Sequence, residues 1–270
     1  MKRTMAPMGL LLAVCSLAGA QDNANRVVIP AHDTGSTRVI EISLVHASMT
    51  VKTHAGKDVI VESPGASGSS DVRTMDGMRR IDTPLLGGVR VEEQNNVLRI
   101  QLPFHNGRQR DLTLTVPVET SLSVKTLHGD IHIEGVHGEV DATTTHGDIV
   151  LIGVSGTVVA SSTIGTVKVS MDRLDPAKPL SFSSLNGDID VTFPADVQAN
   201  LTLRADRGEI WSDFDVSITG SGTQAGMHRL GTNGVYRITV DRNIYGTING
   251  GGVEVGFRTV NGKVLIHKKK

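Results

Sequence analysis

The histidines are the first residues in this chain whose type and spacing could do chemistry. His128 and His146 lie 18 residues apart, and each is followed by Gly-Asp, as His128-Gly129-Asp130 and His146-Gly147-Asp148. Imidazole and carboxylate together are ligands for zinc and related divalent ions. If the chain coils with an 18-residue period, His128 and His146 stack at one corner with Asp130 and Asp148 beside them. His137 then falls on the other half of the coil. One and two units further on, Ile164 and Asn186 occupy the histidine position. The column does not stay ligating, so these are expected to be solvent-exposed turn residues, and no metal is expected. Calcium is not expected either. Calcium rolls repeat Gly-Gly-x-Gly-x-Asp every nine residues, and here the second Gly and the regular Asp are missing.

His132, Lys168 and Asp190 are the second set. They fall on a common outward face in the same register, which is the arrangement a carbohydrate-cleaving β-helix would use. They come from separate coils with Val150 between them, so a solvated strand face is the expectation. Enzyme motifs are missing: there is no His-Glu-x-x-His and no Gly-x-Ser-x-Gly elbow. The stretch Gly220-Ser221-Gly222-Thr223-Gln224-Ala225-Gly226 has the glycines of a dinucleotide loop but neither its spacing nor its strand–helix context. Trp211 is the sole tryptophan. An exposed indole could stack on a sugar ring, but packing into the core or a cap is the commoner fate of such a residue and is expected here. No catalytic, cofactor-binding or metal residue is predicted, and the chain is not expected to be an enzyme.

The elements that position these residues follow from a beat of nine. Gly129, Gly138, Gly147, Gly156 and Gly165 are evenly spaced, and residues 127–144 (LHGDIHIEGVHGEVDATT) are echoed by 145–162 (THGDIVLIGVSGTVVASS). The half-unit reads Gly, an acid or Thr, then apolar–x–apolar, as in Gly129-Asp130-Ile131-His132-Ile133 and Gly147-Asp148-Ile149-Val150-Leu151. It recurs at Gly165-Thr166-Val167, Gly187-Asp188-Ile189, Gly208-Glu209-Ile210 and Gly262-Lys263-Val264. A fixed period of this kind marks a solenoid, in which each unit buries its neighbour's apolar face.

The predicted fold is all-β: a β-solenoid or β-helix-like stack of short strands with coils of 18–22 residues. Ile131, Ile149, Val167 and Ile189 should form one inner column, and Ile133, Leu151, Val169 and Val191 the next. The other half-unit should bury Val140, Ala142, Val158 and Ala160, where alanine implies a narrow interior. The insertion Asp172–Pro179 breaks the beat, so the glycine due at Ser183 arrives at Gly187. Alternation in Glu41–Val45, Met49–Thr53, Val59–Glu62, Val97–Leu102 and Asp111–Val116 predicts further strands. Ser63–Ser70 (SPGASGSS) reads as an exposed loop and Asp213–Gly234 as a hairpin or loop excursion. Open strand edges invite polymerisation. The N-terminal strands and the Asp213–Gly234 segment are the candidates for covering the ends.

Composition sets the surroundings. Met1-Lys2-Arg3, the apolar run Met8–Leu17 and Ala18-Gly19-Ala20 read as a secretory signal peptide over residues 1–20. The run is too short for a membrane span, which takes about 20 apolar residues. Lipidation at Cys15 is the alternative, although Val14 stands where a small residue is usual. Residues 21–270 then form a single β-strand-repeat domain, with a regular core at about 112–266 and looser strands at about 27–102. Cys15 is the only cysteine, so the exported chain has no disulfide or thiolate metal site. Removing Lys2 and Arg3 from the 27 basic residues leaves 25 against 28 acidic ones. That balance argues against nucleic-acid binding. Thirty glycines with 3% aromatics fit many turns and a thin, layered core.

The repeated Gly-Asp-Ile phrase resembles the bacterial family called domain of unknown function 4097, an adhesin-type β-strand-repeat family. Leu114-Thr115-Val116-Pro117 leads to Gly129-Asp130 as Val191-Thr192-Phe193-Pro194 leads to Gly208-Glu209. The ending Ile248-Asn249-Gly250-Gly251-Gly252 with Arg258-Thr259-Val260-Asn261-Gly262 also matches the family's style. The resemblance covers Leu112–Ile266 well and Val27–Leu102 loosely. It implies a β-solenoid-like fold outside the cytoplasm and carries no catalytic residues. Thr157, Thr166 and Lys263 depart from the acid position, all at turns. The expectation is therefore an exported, non-catalytic scaffold, periplasmic or on the cell surface of a bacterium, with a protein or glycan partner at the cell envelope and no transmembrane segment. A carbohydrate-active or carbohydrate-binding β-helix is the alternative. Clustered acids and bases in a groove would favour the enzyme, and flat faces of mixed polarity the scaffold.

Overall fold

Alternation of apolar with hydroxyl-bearing or charged residues fixes extended backbone, with one set of side chains inward. The protein is described by a computed structural model over residues 26–31, 37–63, 74–75, 78–79, 90–102, 111–221, 225–230, 235–240 and 243–270. The predicted signal peptide, and the Ser63–Ser70 loop beyond Ser63, lie outside the described residues. Ser63 itself is buried, its hydroxyl donating to the Asp111 carbonyl at 3.1 Å. The described residues form strands and turns with no helix, so no helix is long and apolar enough to cross a membrane.

Two sheets enclose one continuous core. The first runs, in spatial order, Arg26–Ile29, Val59–Glu62, Leu112–Pro117, Met49–His54, Ile131–Glu134, Ile149–Gly156, Val167–Leu174, Ile189–Phe193, Val264–Lys268 and Ile210–Ser212. The second runs Val216–Ser221, Ile244–Ile248, Ala199–Ala205, Val253–Asn261, Leu180–Asn186, Val158–Ile164, Val140–His146, Ser121–His128, Val39–His46, Val97–Gln101 and Arg90–Gln94. Neighbours in the body of the stack are parallel, as successive coils of a solenoid must be. The all-β solenoid expected from the repeat is the fold observed.

The inner columns form in the predicted register. Ile131 faces Ile149, Val167 and Ile189 in turn, and Ile133 faces Leu151, Val169 and Val191. All eight are buried, each contributing about 1.5–3 kcal/mol of apolar burial. Ala142 packs against Ala160 in the other sheet's inner column, both buried, but the run of alanines ends there. Phe182 follows Ala160 and Phe257 follows Phe182. With Phe193 they form a buried aromatic cluster at centroid separations of 5.3–6.4 Å. The cluster begins on the strand that follows the Asp172–Pro179 insertion.

Chain order and stacking order part company at both ends. Val264 sits between Ile189 and Ile210, so the last coil of the chain inserts beneath the coil that precedes it in sequence. At the other end, the coil of Val39–His46 and Met49–His54 lies between the Ser121–Glu134 coil and the strands Val97–Gln101 and Leu112–Pro117. The N-terminal strands are thus divided between body and cap. Antiparallel strands close the stack: Arg26–Ile29, Val59–Glu62 and Arg90–Gln94 at one end, Val216–Ser221 and Ile244–Ile248 at the other. Arg38, nearly buried, bonds both Glu93 carboxylate oxygens at 2.7 and 3.0 Å and so fastens the first cap. Ala225–Leu230, inside the Asp213–Gly234 segment, pairs with Val235–Val240 beyond it as a hairpin, so the excursion runs further than the expected bounds.

Candidate functional site

The predicted histidine corner exists and is larger than the sequence indicated. His46, His128 and His146 stack face to face, with centroids 4.6 and 4.7 Å apart and planes within 3° and 6°. His46 escaped notice because Ala47-Ser48 follows it in place of Gly-Asp. Aligning Leu44–Met49 with Thr126–Ile131 would have found it. Ile164, Asn186 and Asn261 continue the column. In parallel stacked rings the nitrogen lone pairs lie in separate planes and do not converge on one point. His137 stands apart at the opposite turn, 3.6 Å from Glu119. No group of three or more His, Cys, Asp or Glu among the described residues is arranged to hold a metal ion.

The carboxylates beside the histidines are engaged by the backbone of the next coil. Asp148 N–H donates to Asp130 Oδ1 at 2.8 Å, and Thr166 N–H donates to Asp148 Oδ1 at 2.7 Å. The same bond joins Lys263 N–H to Asp188 at 2.7 Å, Asp130 N–H to Ser48 Oγ at 3.2 Å and Ser48 N–H to Asp111 at 3.2 Å. A second ladder runs inside the corner. Thr144, Ser162, Ser184 and Thr259 are buried, and each donates its hydroxyl to the carbonyl of the corner glycine one coil earlier, at 2.9–3.2 Å. Buried polar groups need such partners. Glycine is required between the two ladders because the coils approach closely. At Gly147, with φ +149°, a Cβ would lie 2.1 Å from the Gly129 carbonyl oxygen. The repeat's Gly, Asp and Thr or Ser are therefore a hydrogen-bonding apparatus for stacking.

His132, Lys168 and Asp190 occupy the outward face in the predicted register, but the structure brings only two of them together. Lys168 Nζ is 3.8 Å from Asp190. His132 instead bonds Glu134 at 2.7 Å, and that hydrogen bond holds the Glu134 carboxyl below its ordinary value. Sequence reasoning missed His267. Its Nδ1 lies 3.0 Å from Asp213 and its Nε2 3.7 Å from Asp190, so Asp213, His267, Asp190 and Lys168 form a polar chain across the stack. Its hydrogen bond and the Lys268 N–H keep the Asp213 carboxyl below the usual aspartate range. Both imidazole nitrogens thus face carboxylates, Nδ1 within hydrogen-bond distance of Asp213 and Nε2 beyond it from Asp190. His267 could not be placed from sequence, since its neighbours depend on the last coil inserting beside Ile189–Phe193.

Trp211 corrects an expectation. It lies neither in the core nor under a cap: it is 59% exposed. Ile210 turns toward the core and Trp211 outward on the terminal strand of the first sheet, beside Leu265. Its Nε1–H donates to Glu209 at 3.2 Å. A surface recess of about 420 Å³ opens elsewhere, between the end of the Val167–Leu174 strand with Pro176 and the Pro194–Gln198 and Gly252 turns. Its Asp172 carboxylate pairs with Lys269 at 2.7 Å.

The model of the family described as Toastrack DUF4097 matches residues 109–266. Two solved structures are similar in outline. A "putative cell adhesion protein" from Clostridium sporogenes is 10% identical with a TM-score of 0.45, covering 91% of this chain and 99% of its own. A "putative adhesin" from Bacteroides fragilis is 11% identical with a TM-score of 0.41, covering 90% of this chain and 96% of its own. No curated protein sequence matches significantly.

Proposed function

From the premise that this chain belongs to the Toastrack DUF4097 family, we propose that it is an exported, non-catalytic interaction scaffold working in the periplasm or on the cell surface, with a protein or glycan of the envelope as its partner. One observation carries this proposal. The carboxylates of the Gly-Asp corners, with their Thr and Ser companions, are bonded coil to coil and hold the stack together. The outward row of the first sheet, His132, Val150, Lys168, Asp190, Leu265 and Trp211 on successive strands, mixes charged, polar and apolar side chains, which suits a recognition surface. Export rests on the Met1–Ala20 segment.

The test is a pull-down from native envelope with residues 21–270 immobilised, read by mass spectrometry against a bead control. A reproducibly enriched envelope protein or glycan is the expected outcome. Equal recovery from beads alone, or retention of residues 1–20 in cytoplasmic protein, would overturn the scaffold or its location respectively. A second possibility, carbohydrate binding, is favoured by one specific observation, the exposed indole of Trp211.

A further inference from the structure

The outer face at the Ile210–Ser212 end of the first sheet carries a feature the stacking apparatus does not use. Trp211 leaves most of its surface in water, although an indole gains more than almost any other side chain by burial. Its ring does not hang loose, because Nε1–H is bonded to Glu209. In register beside it comes Leu265, and beyond Leu265 comes Asp190. Flanking this short apolar strip is the polar chain of Asp213, His267, Asp190 and Lys168. The carboxylates are oriented in advance by their partners, so little ordering remains to be done when a ligand arrives.

We propose that Trp211 and Leu265, with the carboxylates of Glu209, Asp190 and Asp213, form a platform for a neutral, β-1,4-linked hexopyranose chain. This rests on the scaffold proposed above and names the ligand class for one of its faces. The chemistry is complementary in three respects. A pyranose with equatorial substituents presents a flat face of C–H bonds, and their slight positive charge suits the negative face of an indole. Its hydroxyls are donors, and ionised carboxylates are acceptors with several lone pairs each. Glu209, Asp190 and Asp213 outnumber the two lysines that face them, Lys168 beside Asp190 and Lys270 near Asp213, and both lysines already have carboxylate partners, so uronic and sialic acids are disfavoured by like-charge repulsion. The apolar strip is too small for the hydrophobic centre of a protein interface, which gathers several anchors in a desolvated patch.

Trp211 is the only tryptophan in the chain, so its fluorescence reports on the platform alone. The purified protein is titrated with cellohexaose, with N-acetylated chitohexaose and with an oligogalacturonate of similar length. At least one neutral sugar should give a saturable change at millimolar concentration, and the oligogalacturonate none. Calorimetry should show at least tenfold weaker binding for Trp211→Ala and several-fold weaker for Asp213→Asn, with melting temperatures near that of the parent. No saturable change with either neutral sugar, equal response to the oligogalacturonate, or undiminished binding by a folded Trp211→Ala would overturn the proposal. Envelope capture separates the two ideas. Capture that persists in protein that binds neither sugar removes the platform and leaves the scaffold. Sugar binding without envelope capture removes the scaffold and leaves the platform. Loss of a captured protein, with no sugar binding, assigns Trp211 to a protein partner and overturns the platform.

Discussion

Asp148 N–H donates to Asp130 Oδ1 at 2.8 Å across 18 residues of sequence, so the acid of one coil caps the corner of the next. Asp148 repeats the arrangement toward Thr166 at 2.7 Å. An interior acid of this ladder thus acts as acceptor to one coil while its amide is donor to another. Asp130→Ala should lower stability by about 0.5–1.5 kcal/mol, the usual net worth of one such bond. Asp130→Asn keeps a carbonyl oxygen in place and should cost less. Denaturant unfolding of the three proteins checks this, and equal stability of all three would remove the ladder's role.

The corner glycines should be far less tolerant than the acids. Gly147→Ala places a Cβ 2.1 Å from the Gly129 carbonyl oxygen at a φ of +149°. A loss of about 3–5 kcal/mol, or failure to fold, is expected from a clash against fixed backbone. Gly220 meets nothing within 4 Å, and Gly220→Ala should stay within about 0.5 kcal/mol of the parent. Thermal melts of the pair test the claim, and similar losses at both positions would contradict it.

Insertion of the last coil can be tested by cross-linking. Asp190 faces Leu265 directly, and Trp211 is the next strand out. Adjacent strands lie about 4.8 Å apart, within disulfide reach, whereas two strand spacings exceed it. With Cys15 absent from residues 21–270, the double variant Asp190→Cys, Leu265→Cys should oxidise to an intramolecular disulfide. Asp190→Cys with Trp211→Cys should not. Stacking in chain order would reverse the two results on a non-reducing gel.

The pH response of Asp213 follows from its partner. His267 holds this carboxyl below the ordinary aspartate value of 3.8. A depressed folded-state value contributes stability that is present above the unfolded value and is lost as pH falls through the folded one. Carboxyl NMR titration should place Asp213 below 3.8 in the parent and return it toward 3.8 in His267→Ala. An unchanged titration would show that His267 does not act on it.

Much of this fold was legible because a fixed period ties sequence to space. Once Ile131 and Ile149 were known to be one coil apart, Val167 and the late Ile189 followed, as did the outward positions of His132 and Lys168. The order of coils at the ends was not legible. Val264 and Ile210 sit in the same kind of Gly-led phrase, and nothing local to either says which stacks on Ile189. His267 and the setting of Trp211 depend on that order, so the most suggestive surface of the molecule was hidden with it. Ala142 and Ala160 could be read as buried neighbours from the repeat, while Phe182 shows itself as their successor only when seen in their column.

The central claim is that the repeat's polar residues hold the stack together and leave the outer faces for recognition without turnover. The most direct measurement incubates residues 21–270 with purified envelope and follows binding and the release of low-mass glycan or peptide products together. Saturable binding with envelope material recovered unchanged is the predicted result. Time-dependent product release that scales with protein concentration, and that falls away in His267→Ala, would contradict it.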